Sequence, residues 1–239
     1  MMSTKTVKQP RLWIEDVPTV RSMVEQKLRE AIMTGTFKPG QRLIERELCE
    51  MTGVSRPSIR EALRRLEADG MVTTIAHRGP VVSTISHKEA KQLYAARAVL
   101  EGFAGRECAR LCDPVIVSRI GGALARLKTA ASAGDIRACL EAKTEFYAAM
   151  ITGCDNGFIE RMLRPLHDRI TLLRITSMSH PKRINKSLRE VTAIWRAIQS
   201  GNPELAERCC VEHVNAAAEA ALRMIEQSSP SATARQVRA

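Results

Sequence analysis

The chain has 239 residues, 44% hydrophobic, 26% charged and only 3% aromatic, enough apolar mass for one or two compact domains with cores of their own. Helix formers dominate, which predicts a mainly α protein, and the lack of an apolar run of about 18 residues or a signal peptide argues against a membrane partner and for a cytoplasmic location. A formal charge of +11 favours a polyanionic partner, yet residues 1 to 85 hold 14 basic and 10 acidic residues, a net of +4, which leaves +7 for the remainder.

In chain order, residues 1 to 16 read as a flexible tail, as do residues 229 to 239 at the other end. Val20 to Met33 repeats Val20, Val24, Leu28 and Ile32 at helical spacing, ended by Gly35 and Pro39-Gly40. Ile44 to Met51 reads as a short helix with Leu48 inward, and Thr52-Gly53-Val54 as a sharp connection in which glycine permits positive φ. The stretch Ser55 to Gly70 carries the most specific signal. Ser55 is placed to accept a first-turn amide as N-cap, Pro57 stands where a missing N–H does no harm, and Gly70 supplies the stop. At 100° per residue Ile59, Ala62, Leu63 and Leu66 share one stripe, while Arg56, Arg60 and Arg64 share another that can meet an anion. Val72 to Ile75 and Val81 to Thr84 are β-rich and flank Ala76-His77-Arg78-Gly79-Pro80, a two-stranded wing with a basic tip.

On these residues the chain resembles a known family. Pro39-Gly40, Leu43, Glu47-Leu48, Gly53-Val54-Ser55-Arg56, Arg60-Glu61-Ala62-Leu63, Leu66, Gly70 and Gly79 are similar to the winged helix-turn-helix of GntR-type bacterial regulators, over residues 17 to 85. The resemblance implies DNA contacts from Arg46, Ser55, Arg56, Ser58 and Arg60, with His77, Arg78 and Gly79 of the wing at the minor groove or backbone. One recognition helix reads only a few base pairs, so a homodimer on palindromic double-stranded operator DNA is expected.

From residue 86 to 228 only helical periodicity remains, and it predicts an all-α bundle of about six helices. Ser86-His87-Lys88-Glu89 is a capping-box pattern opening a helix to about Leu111; Asp113-Pro114, Gly134-Asp135 and Asp155-Asn156-Gly157 start the next three, with Pro165 expected to kink or restart the last of them. After Ser179-His180-Pro181 come Asn185 to Gln199 and Pro203 to Gln227. Polar residues fall inside the apolar stripes: Arg97 among Ala90, Leu93, Leu100, Ala104 and Leu111; Lys143 and Tyr147 among Ile136, Leu140, Met150 and Ile151; His213 among Ala206, Cys210, Ala217 and Ala220. A buried cation needs an anion. Arg97 and Lys143 therefore either hold an acidic ligand, or Lys143 snorkels to solvent and Arg97 pairs with an internal carboxylate such as Glu145.

A second resemblance covers this half. Tyr94 to Glu101, Glu145-Phe146-Tyr147 with Asn156, Ser187 to Glu190 with Ala197-Ile198, and Gly201 to Ala206 leading to His213 are similar in order and spacing to the effector-binding FCD domain of the FadR branch of GntR regulators. Many FCD domains hold a divalent metal with an Asp, a His four residues later, a His on a third helix and a final His. Those positions are here Lys143, Tyr147, Val191 and His213. Only His213 is a ligand type, so neither a metal nor another cofactor is expected, and His213 alone reads more readily as a satisfied core or pocket histidine than as a ligand. The Lys143 ammonium instead takes the metal's place in holding a small organic acid effector, with Arg97, Tyr147 and His213. The chain is thus expected to be an effector-responsive transcriptional repressor of a catabolic or transport operon, not an enzyme, with pocket and winged helix as separate modules. Two alternatives remain. One is a non-specific nucleoid-type binder; the other is a redox-responsive regulator acting through its seven cysteines, above all Cys209-Cys210, although most of the cysteines fall on apolar stripes and none shows CxxC spacing.

Overall fold

The computed structural model describes residues 19–177 and 181–228, so both expected tails and the Ser179-His180 turn lie outside the described residues. Among the described residues three helices come first, α1 (Val20–Met33), α2 (Glu45–Thr52) and α3 (Arg56–Ala68), followed by strands β1 (Val72–Ile75) and β2 (Gly79–Val82). Six described helices follow: α4 (His87–Leu111), α5 (Pro114–Ala133), α6 (Ile136–Gly153), α7 (Gly157–Ser177), α8 (Pro181–Gln199) and α9 (Pro203–Ser228). The mainly α class, the small wing and the six-helix bundle are as the sequence implies.

The helix starts follow local chemistry. Thr19 Oγ1 accepts from Ser22 N at 3.1 Å, Ser86 Oγ from Glu89 N at 3.3 Å, Asp113 Oδ1 from Val115 N at 2.7 Å and Asp135 Oδ1 from Ala138 N at 2.9 Å. Helix α7 continues through Pro165 as one element, so proline does not restart it there. Helix α8 begins at Pro181 rather than near Asn185, since proline is compatible with a first turn. Val20 is 58% exposed, so the buried stripe of α1 is Val24, Leu28 and Ile32 only.

The wing is tighter than its composition suggests. The register is Val72↔Val82, Thr73↔Val81, Thr74↔Pro80 and Ile75↔Gly79, so β2 starts at Gly79 and the tip shrinks to Ala76-His77-Arg78. Positive φ at His77 (61°) and Gly79 (79°) closes it; histidine is among the non-glycine residues that tolerate this region. Gly40 to Leu43 lies along the other side of β2, through Gly40 N to Val82 O (2.8 Å), Val82 N to Gln41 O (2.9 Å) and Leu43 N to Pro80 O (2.8 Å).

Two cores hold the molecule. One fills the bundle with Leu124, Leu127, Phe146, Met150, Ile194 and Ile198. The other joins the winged helix to the base of the bundle: Ile32, Leu48, Ile59, Leu66 and Val82 pack in one cluster with Leu93, Tyr94, Ile170 and Val214. Buried apolar surface is thus shared across the boundary between the two halves. Helices α4 and α9 approach closely: a Cβ on Gly105 would lie 2.5 Å from Cys210 Sγ, so only glycine fits there.

Candidate nucleic-acid interface and effector site

The helix-turn-helix is built as its spacing requires. Gly53, at φ +70°, ends α2, and α3 buries Ile59, Ala62, Leu63 and Leu66, which leaves the opposite face to solvent. Arg46, Ser55, Arg56 and Arg60 are exposed there and Ser58 is half-buried. Two details differ from expectation. Ser55 is the N-cap residue, but its hydroxyl makes no cap bond and instead meets Ser58 Oγ at 3.2 Å. Arg60 is not a bare cation: its Nε donates to both carboxylate oxygens of Glu45, at 2.9 Å each, while Arg46 lies 3.8 Å from Glu50. At the wing tip His77 and Arg78 are exposed and Gly79 half-buried, and Arg78 Nη2 reaches Gly40 O at 3.4 Å.

The bundle brings its inward polar residues together. The Arg97 guanidinium lies over the rings of Tyr147, at 5.2 Å, and Tyr94, at 5.7 Å. Its charge is met by Glu101, one turn along α4, through Nε and Oε1 and through Nη2 and Oε2 at 3.2 Å; both side chains are 1% exposed. The internal partner is therefore Glu101, not Glu145, which pairs with Arg126 across the surface of α5 and α6. His167 of α7 approaches Glu101 Oε1 at 2.7 Å and meets the Tyr147 ring edge-on at 4.9 Å. Burial would raise the Glu101 carboxyl; Arg97 and then His167 outweigh it and hold the group well below the usual carboxylate range.

Lys143 does not snorkel to solvent. It is 4% exposed and its Nζ donates to Ser187 Oγ at 2.6 Å. One turn further along α6, Tyr147 Oη and His213 Nε2 are 2.6 Å apart, and His213 Nδ1 is 2.6 Å from Glu190 Oε2, which also accepts from Arg183 Nη1 at 3.0 Å. Burial first, then the charges of Lys143 and Arg97, lowers His213 to about 3 despite Glu190. The ring is neutral, and the carboxylate fixes its tautomer: Nδ1–H donates to Glu190 and Nε2 accepts the Tyr147 hydroxyl. This donor set does not fit a divalent metal, because the one imidazole lone pair holds a phenolic proton, an ammonium stands alongside, and Val191 is a buried aliphatic.

Arg97, Lys143, Tyr147 and His213 thus share one cluster, and Glu101, His167, Ser187, Glu190 and Arg183 join it without having been singled out. Glu101 was legible, standing four residues after Arg97 on the same helix face. Periodicity alone does not pair the others, which arrive from α7 and α8.

The cysteines divide by burial. Cys108, Cys139, Cys154 and Cys210 are buried. Burial pushes the Cys108 thiol up to about 12 and raises Cys209 and Cys210, which disfavours the reactive thiolate a redox sensor needs.

Comparison with known proteins agrees with this geometry. The family description "Bacterial regulatory proteins, gntR family" matches residues 20–82 and "FCD domain" matches residues 92–216. The chain is 29% identical over 199 residues, 83% of its length and 87% of the relative's, to the probable D-xylose utilization operon transcriptional repressor of Paenarthrobacter nicotinovorans. It is 27% identical over 190 residues to the HTH-type transcriptional regulator YdhC of Bacillus subtilis, covering 79% of this chain and 85% of that one. A solved GntR-type transcriptional regulator from Rhodococcus sp. RHA1 superposes with a TM-score of 0.72 at 26% identity, over 87% of this chain and 98% of that one.

Proposed function

This chain belongs to the GntR family of bacterial regulatory proteins and carries an FCD domain, and from that premise we propose that it is a homodimeric repressor of a catabolic or transport operon whose operator binding is set by a small organic acid held in the bundle. That it is a DNA-binding transcription regulator rather than an enzyme follows from the family itself. The repressor reading draws on the relative named for the D-xylose operon, and a DNA partner supports a cytoplasmic location. In the proposed complex Arg46, Ser55, Arg56, Ser58 and Arg60 face the major groove, and His77, Arg78 and Gly79 follow the backbone or minor groove of a palindromic site.

The observation that carries the effector reading is the buried Lys143 ammonium, bonded to Ser187 and set beside Tyr147 and His213. An aliphatic core needs no such group, and buried charge generally lowers stability, so a charged cluster at the centre of an effector domain fits recognition of an anion. Arg97 has a narrower role than first expected: with its charge met by Glu101, it orients Tyr147 and leaves the carboxylate to Lys143. A thermal-shift screen of aliphatic and aromatic carboxylates against their neutral amides tests this. A carboxylate should raise Tm by mass action, and Lys143→Met should abolish the response. An active neutral amide, or a Lys143→Met protein that responds like the parent, would overturn it.

A further inference from the structure

We propose that helix α7 transmits the state of the buried cluster to the DNA-reading helix through Asp168 and Arg29. The proposal rests on the reading of that cluster as the effector site. Three consecutive α7 residues face three different surroundings. His167 forms a wall of the cluster, 2.7 Å from Glu101 and edge-on to Tyr147. Asp168, 14% exposed, accepts from Arg29 of α1, and the same guanidinium donates to Asp69 and, at 3.0 Å, to Glu25. Asp69 is the C-cap residue of α3. Arg169 bonds Glu89 at the start of α4, and its aliphatic stem lies against Gly70, where an added Cβ would be 3.0 Å from Arg169 Cδ. Ile170, fully buried, belongs to the core shared with the winged helix.

Neighbouring residues of one helix turn cannot move independently, because the backbone hydrogen bonds fix their relative directions. A ligand that re-seats Tyr147 or Glu101 displaces His167, and Asp168 and Arg169 move with it against the Asp69-Gly70-Met71 turn at the end of α3. This turn is a sensitive point. Gly70 stands at φ +72° and Met71 is fully buried, so a shift there alters the angle of α3 relative to the wing. Arg29 acts as a pivot shared by three carboxylates, Glu25 and Asp69 on the winged-helix side of the boundary and Asp168 on the bundle side. Burial raises the Asp168 carboxyl against the pull of Arg29. Asp168 and Arg29 are positioning residues in this scheme and touch neither effector nor DNA.

The test is a double-mutant cycle in the full chain. The pocket is perturbed by His167→Gln or, more mildly, by Tyr147→Phe, which removes a single hydroxyl and keeps the ring; each is made alone and combined with Asp168→Asn. The readouts are affinity for a DNA sequence selected from a random pool by the wild-type protein, and amide hydrogen exchange over residues 66–72. Each pocket variant alone should change both, with affinity altered about 5-fold or more, and the change should fall below about 2-fold in the Asp168→Asn background. Equal changes in the two backgrounds, or no change at residues 66–72 in the wild-type background, would overturn the proposal. The two readings fail separately: if no carboxylate shifts Tm while the non-additivity persists, the effector reading falls and the α7 link stands, whereas a carboxylate response with additive variants removes the link alone.

Discussion

Two arginine–carboxylate pairs, one on the proposed reading surface and one inside the bundle, show how the same chemistry serves opposite ends. Arg60 and Glu45 bridge α3 and α2 in water, with Arg60 59% exposed. Arg97 and Glu101 make the corresponding pair one turn apart on α4 at 1% exposure each. An exposed pair contributes about 0–1 kcal/mol, so a DNA phosphate or guanine edge can displace Glu45 at small cost while Glu45 keeps the arginine oriented meanwhile. A buried pair is locked, since neither charge can return to water without opening the core. A surface cation is thus available to a partner because its own bond is weak, whereas a buried arginine that has found its carboxylate is structure. Within the cluster Arg97 is thereby tied to Glu101, and recognition remains proposed for Lys143, which also bonds Ser187.

The comparison predicts its largest effect at Glu101. Glu101→Gln leaves the Arg97 guanidinium uncompensated in the core and should destabilise the protein by about 3–5 kcal/mol, read as a large drop in Tm. Glu45→Gln, which removes the same charge from the surface pair, should stay within about 0.5 kcal/mol of the parent. Similar melting curves for the two variants would mean that burial does not distinguish the pairs.

The next effect belongs to the surface. Arg56→Ala and Arg60→Ala should each weaken operator binding by about 1–3 kcal/mol with no loss of Tm, and should reduce the dependence of binding on salt if the lost contact is to phosphate. Operator affinity unchanged in both would remove the proposed reading face and with it one side of the comparison.

How much of this was legible follows from which contacts are local. The α3 stripe, the Gly53 and Gly70 stops and the inward direction of Arg97, Lys143, Tyr147 and His213 are set by the 3.6-residue period, and each is found where the spacing puts it. Partners across helices are not periodic. Lys143 meets Ser187 forty-four positions away and His213 meets Glu190 of α8, pairs decided by how six helices pack. The same limit explains Glu145: it carries the right charge on the same helix as Tyr147, but it is turned to the outer face, where Arg126 of α5 takes it. The second wing strand starts earlier than expected because Pro80 reads as a turn residue, yet opposite Thr74 its carbonyl turns away from β1 to accept from Leu43 N, so its missing N–H takes no bond from the β1–β2 ladder. The joint between the halves left no mark on the sequence, since Arg29, Asp69 and Asp168 are ordinary surface types until α7 comes to rest beside α1.

The smallest effect separates the two regions by pH. His213 is held neutral, lowered from 6.5 to about 3, so the unfolded chain binds a proton there that the folded chain refuses. Stability rises with pH wherever the unfolded state holds more protons. The contribution is therefore fully present above pH 6.5 and is lost as pH falls from there towards 3. Between pH 6.5 and 5 the loss should be roughly 1.5 to 2 kcal/mol. Below about 4.5 Glu101 and Glu190, both lowered despite burial, add losses of the same sign; Asp168, raised by burial, gives a small gain of the opposite sign. Denaturant midpoints measured at pH 7, 6.5, 6, 5.5 and 5 would show the slope, and His213→Gln should flatten it while leaving that of Arg56→Ala identical to the parent's. A parent whose stability is level across this window, or a His213→Gln protein with the same slope, would mean that the imidazole is not held neutral between Tyr147 and Glu190, and the Tyr147–His213 bond would then run from Nε2–H to the phenolic oxygen, with Nδ1–H still donating to Glu190.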